Sequence, residues 1–140
     1  MEEKAERFNT RDLVQITVGS IVGALAYIAN GDFWKIGDSL PGINAVIVVF
    51  VSLILVWALG YKVGVRKIAG KNVRRILFLV PVRVFVQYFM AVLFSLVLMY
   101  VLAINTFETS IEVVLKRTAV LALPASALGS AVDLIDSQKD

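Results

Sequence analysis

Few residues in this chain are equipped for chemistry, and the most unusual of them is Arg83. It lies with Gln87, one helical turn later, inside ILFLVPVRVFVQYFMAVLFSLVLMYVLAIN (76–105), a run apolar and long enough to cross a bilayer. An unpaired charge at the centre of a membrane costs at least about 2.5 kcal/mol on insertion scales, and less near the interface. Arg83 therefore needs a partner, or must snorkel to the headgroups. The acids placed to answer it are Asp133 and Asp12, each at the end of another apolar run, with Gln15 beside Asp12. Such a cluster does one of two things. It fixes helix packing as a static salt bridge, which is the simpler reading, or it serves as a polar gate or ion-binding site.

The rest of the composition narrows the chemistry. The chain has neither cysteine nor histidine, which excludes disulfides, thiolate and imidazole catalysis, and zinc or haem sites of the usual kind. No nucleophile–base pair or metal-ligand cluster stands out, so an enzyme is the least expected class and no cofactor is implied. Of the 140 residues, 59% are hydrophobic, with a mean hydropathy of +0.81. The excess over a soluble domain is gathered into long runs, the signature of a polytopic membrane protein. The start MEEKAERFNTRD is polar and mixed in charge, with Asn9 or Thr10 as a helix cap, and no A-x-A cleavage site follows the first apolar run, so that run is expected to stay as a helix.

The elements that must position Arg83 are four transmembrane helices in one domain spanning 1–140, at about 13–30, 44–62, 76–105 and 110–136. Between the second and third lies KVGVRKIAGKNVRR (62–75). It contains Lys62, Arg66, Lys67, Lys71, Arg74 and Arg75 and no acid. The positive-inside rule places it in the cytoplasm, where it faces anionic headgroups, and this sets an N-in/C-in topology. Nucleic acid is the other reading of a basic run, discounted because a short loop beside membrane helices already explains the charge. In the first connecting loop, NGDFWKIGDSLPGIN (30–44), Asp32 and Asp38 could suggest a cation site, but a solvated turn with the two acids as caps is the favoured reading, and Phe33 and Trp34 read as an interfacial anchor. The second helix is apolar nearly all round, with Ser52 as its internal polar residue. Pro81 belongs to the first turn of the third helix if that helix starts near Leu79, and kinks it if the start is Val73. Glu112 and Lys116 have the spacing of an intrahelical pair. Pro124 should kink the fourth helix.

Projection at about 100° per residue sorts the faces. On the first helix Asp12, Gln15, Gly19, Gly23, Ala26 and Asn30 share a small and polar stripe, with Gly19 and Gly23 as a GxxxG pair suited to close helix approach. On the third, Gln87, Ala91, Phe94, Leu98, Val101 and Asn105 follow Arg83. On the fourth, Ala122, Ser126, Gly129, Ser130 and Asp133 line up. The topology brings Asp12, Gln15, Arg83 and Asp133 to one depth near the cytoplasmic side. The expected pair is Arg83 with Asp133, with Asp12 and Gln15 as second partners and Gln87, Ser126 and Ser130 deeper along the same faces.

The segments RDLVQITVGSIVGA (11–24) and LPASALGSAVDL (123–134) resemble a prokaryotic family known only as integral membrane proteins of unknown function. That resemblance implies a multi-pass protein of a prokaryotic plasma membrane, and brings no activity or catalytic residues with it. Members are often longer, which would make this chain a compact form. The leading expectation is an oligomeric ion or small-solute channel or transporter whose path is lined or gated by Arg83, Asp133, Asp12, Gln15 and Gln87. The rival is a non-transporting assembly or regulatory protein that binds partner helices through Gly19, Gly23, Ala122, Ser126, Gly129 and Ser130.

Overall fold

The computed structural model describes residues 10–68 and 73–136, with side chains described for all of these except 62–68, 73–80, 133, 134 and 136. The described residues form five helices and no strand: α1 (Thr10–Ala29), α2 (Lys35–Ser39), α3 (Gly42–Ile68), α4 (Val73–Val101) and α5 (Ile111–Asp136). Three of them, α1, α3 and α4, contain stretches long and apolar enough to cross a membrane.

Helix α5 is the hub. It packs against α1, α3, α4 and the short α2, while α4 also touches α1 and α3. Its composition explains why. Between Thr118 and Ser130 it offers mostly Ala, Gly, Ser and Leu, and nearly all of this stretch is buried. Small side chains let neighbouring backbones approach, which is how helices associate where lipid removes the hydrophobic drive. The closest approach is to α1. A Cβ on Gly19 would stand 2.7 Å from the Cα of Gly129, and one on Gly23 2.9 Å from the Cα of Ala125. GxxxG on α1 therefore meets Ala125 and Gly129, themselves four residues apart. The outward residues Val14, Val18, Val22 and Leu25 of α1, the α3 face around Phe50, Ile54 and Trp57, and Phe85, Phe89 and Leu93 of α4 are exposed. In a membrane this is the lipid-facing surface.

Several boundaries differ from the sequence reading, for physical reasons. The basic segment expected as a loop over 62–75 is mostly helix, since α3 runs to Ile68 and α4 begins at Val73. At about 1.5 Å per residue, the 27 residues of α3 span about 40 Å. The helix continues past a hydrocarbon core of about 30 Å because nothing in KVGVRKI breaks it. The start at Val73 puts Pro81 inside α4 and removes the first-turn alternative. At the other end α4 stops at Val101 instead of Asn105. Ala103 adopts a left-handed φ of 56°, Ile104 N–H donates to Met99 O at 2.9 Å, and Ala103 N–H donates to Tyr100 O at 3.1 Å. This is a Schellman cap, in which a left-handed residue satisfies the last carbonyls, here with alanine where glycine is usual. It turns Asn105 out of the helix and into a buried loop position.

The buried stripes also depart from straight projections. On α4 the buried line is Val84, Gln87, Ala91, Ser95 and Met99, whereas Val101 is 72% exposed. On α1 it includes Ile16, Ser20 and Ala24 beside Gly19 and Gly23, while Ala26 is exposed. Apart from the step of three from Val84 to Gln87, these are rows of residues four apart. Such a ridge winds slowly around the helix, so the contact line leaves a face drawn at constant angle. On α3 the same spacing buries Ser52, Val56 and Gly60, with Val56 and Gly60 beside Val84 of α4, so this helix has a specific packing seam as well as a lipid face.

Candidate functional site

The polar groups inside the bundle form a line between two arginines. At the end where α4 begins, Arg83 Nη2 stands 3.8 Å from Asp12 Oδ1, and both side chains are about 15% exposed. The separation is that of an ion pair and exceeds a hydrogen bond. Asp12 is in the first turn of α1, so the pair joins α1 to α4. The pairing expected between Arg83 and Asp133 falls on a side chain outside the described residues, as do the side chains of Lys62, Arg66, Lys67, Arg74 and Arg75. Lys71 lies outside altogether. Gln15 is half-buried beside this end.

One turn deeper, Gln87 is buried and its Oε1 accepts a hydrogen bond of 3.3 Å from Ser130 Oγ on α5. Ser130 Oγ also reaches the Ser126 carbonyl at 2.9 Å, and Ser126 Oγ reaches the Leu123 carbonyl at 2.9 Å. Thr118 and Ser52 bond the carbonyl four residues back in the same way. In lipid every polar group must find an internal partner, and a hydroxyl on a helix finds one in the preceding turn. Ala122, Ser126, Gly129 and Ser130 are all buried within the chain. The small-residue faces expected to bind partner helices are thus closed against one another, because glycine and serine stripes on α1 and α5 fit best together. Toward the far end the line meets an apolar plug of Ala24, Ala91, Met99, Leu121 and Ala125.

Beyond the plug lies a second polar cluster, centred on Arg117, that sequence reasoning missed. Its Nε donates to Asp38 Oδ1 at 2.6 Å and its Nη2 to Asp38 Oδ2 at 2.9 Å. Nη1 donates to the Ile104 carbonyl at 2.9 Å and to Asn105 Oδ1 at 3.0 Å. The guanidinium carbon lies 4.8 Å from the ring centroid of Trp34, a cation–π distance. Gly37 permits the contact, since a Cβ there would sit 2.8 Å from the Cα of Arg117. Asp38 is therefore no solvated cap. The Arg117 hydrogen bond holds its carboxyl below its ordinary value of 3.8, against a smaller desolvation effect. Asp32, by contrast, is exposed and pairs with Lys35 at 2.7 Å. Glu112 and Lys116 make the intrahelical pair. The missed signal was weak: Asp38 and Arg117 are 79 residues apart, and no periodicity links a loop acid to a helix base.

Arg83 and Val101 are separated by about 27 Å along α4 at the helical rise, close to the thickness of a hydrocarbon core. The two charged clusters thus bracket a membrane-length interior holding Gln87, Ser126 and Ser130. Residues 2–135 match the family described as "Putative integral membrane protein (DUF2391)". The chain belongs to this family. No curated protein and no solved structure matches it. The family description agrees with what the helices show, an integral membrane protein with several apolar spans.

Proposed function

We propose that this protein is a four-span membrane protein, N-in and C-in, in a prokaryotic plasma membrane, and that its bundle carries a closed path for an ion or small polar solute. The observation behind this reading is the Gln87–Ser130 hydrogen bond, buried in the bundle one helical turn from Arg83 and its partner Asp12. Polar and ionisable groups at such depth are expensive, and characteristically mark ion or proton pathways. The 26 residues of α5 give about 39 Å, enough for a fourth crossing, and the basic stretch 62–75 favours the cytoplasmic side. The apolar plug around Met99 and Leu121 would be the barrier that opens. A bundle of four helices is too thin for a wide pore, which favours a narrow path or an oligomer of several chains.

Flux through liposomes tests the reading. The reconstituted protein should pass protons, sodium, potassium or chloride above empty vesicles, and Gln87→Leu should cut that flux by about tenfold with little change in thermal midpoint. Absence of flux for all four ions, or flux indifferent to Gln87→Leu, overturns it.

A further inference from the structure

Between α3 and α4 the lipid-facing surface is indented by an apolar groove of about 330 Å³, lined by Phe50, Leu53, Ile54, Trp57, Pro81 and Phe85 among others. By the helix rise from Phe50 to Trp57 it is about 10 Å long. The two helices are antiparallel neighbours, so Trp57 and Pro81 both lie toward the basic end. Lys62 follows Trp57 by five residues, and Arg74 and Arg75 precede Pro81 by seven and six. Continued as helix, those positions lie roughly 8–10 Å beyond the groove. No acid interrupts the segment 62–75.

We propose that this groove holds an acyl chain of an anionic glycerophospholipid, whose phosphate sits among the basic helix ends. An apolar slot followed by a cationic end matches the order of acyl chain and phosphate. A zwitterionic lipid fills the slot equally well but gains less from the positive charge of the segment 62–75, so the groove selects by headgroup. Basic residues near a membrane surface each favour an anionic lipid by about fivefold.

The two tryptophans of the chain make the test. Trp57 lines the groove and Trp34 sits at the far end of the bundle beside Arg117. The full chain is reconstituted into phosphatidylcholine vesicles containing a small fraction of brominated phosphatidylglycerol or, in parallel, brominated phosphatidylcholine, and tryptophan quenching is recorded. Trp57 emission, isolated as the part lost in Trp57→Phe, should be half-quenched at about a tenfold lower fraction of the anionic lipid. Arg74→Gln with Arg75→Gln should remove most of that preference while leaving quenching by phosphatidylcholine intact. Leu53→Trp, read by native mass spectrometry of retained phosphatidylglycerol, should fill the slot and release the lipid. Equal quenching by both lipids overturns the proposal. So does a preference unmoved by the arginine changes. Cross-linking of the Trp57→Cys variant to a second copy, with no quenching of the native chain by either lipid, also overturns it, by assigning the groove to a dimer contact.

Discussion

Arg117 and Arg83 stand at opposite ends of the bundle and are held by different kinds of partner. Arg117 makes four hydrogen bonds at 2.6–3.0 Å, to a carboxylate on α2 and to a carbonyl and an amide in the loop after α4. Arg83 faces Asp12 at 3.8 Å across two long helices. The first arrangement gathers short connectors that have little other means of ordering. The second links elements already packed through Gly19, Gly23 and Gly129. Arg117 thus clamps connectors to α5, whereas the Arg83–Asp12 pair joins two helices that small residues already hold in the bundle.

Removing the clamp should have the largest effect. Arg117→Ala leaves the Ile104 carbonyl and the buried Asn105 amide without this donor, at about 1–3 kcal/mol for each buried polar group. Unfolding in detergent should show a loss of about 3 kcal/mol or more, and Arg117→Lys should recover only part of it because a lysine cannot grip the carboxylate in a bidentate fork. Gly37→Ala comes next. Its Cβ meets backbone, so α2 must move off α5 at about 1–3 kcal/mol, with loss of the Trp34–Arg117 contact visible in tryptophan emission. Arg83→Ala should change liposome flux severalfold and cost less stability than Arg117→Ala, because the helices it joins also pack through Gly19, Gly23 and Gly129. A larger loss of stability than Arg117→Ala causes would reverse that ranking. Ala103→Gly should stabilise by about 0.5–1 kcal/mol, because glycine carries no penalty in the left-handed cap.

The smallest effect is on pH dependence. Because the folded Asp38 carboxyl is held below its ordinary 3.8, the clamp contributes fully above that value and is lost as pH falls through the lower folded one. The thermal midpoint should therefore decline below about pH 4 in the native chain. Asp38→Asn should flatten that decline.

How much of this was legible beforehand depends on the residue. The all-helical membrane class followed from the runs of apolar residues, and Gly19 and Gly23 were recognisable as sites of close approach because only their own spacing matters. Arg83 drew notice because charge is rare in such a run. Arg117 did not, since it stands at the polar start of α5 where a cation is ordinary. Asn105 looked like the end of a helix, and the turn at Ala103 that buries it involves a left-handed alanine, a conformation no pattern of side chains announces.

The sequence by itself determined the membrane habit of this protein, its helical periods and the identity of its rare interior charge, because burial in lipid forces each apolar run to satisfy its own backbone locally. Only the tertiary structure decided that α5 is the hub, that Asp38 and Trp34 close on Arg117, and that Gln87 meets Ser130. Those contacts join residues far apart in the chain, and their partners are chosen by how the small-residue faces of whole helices fit together.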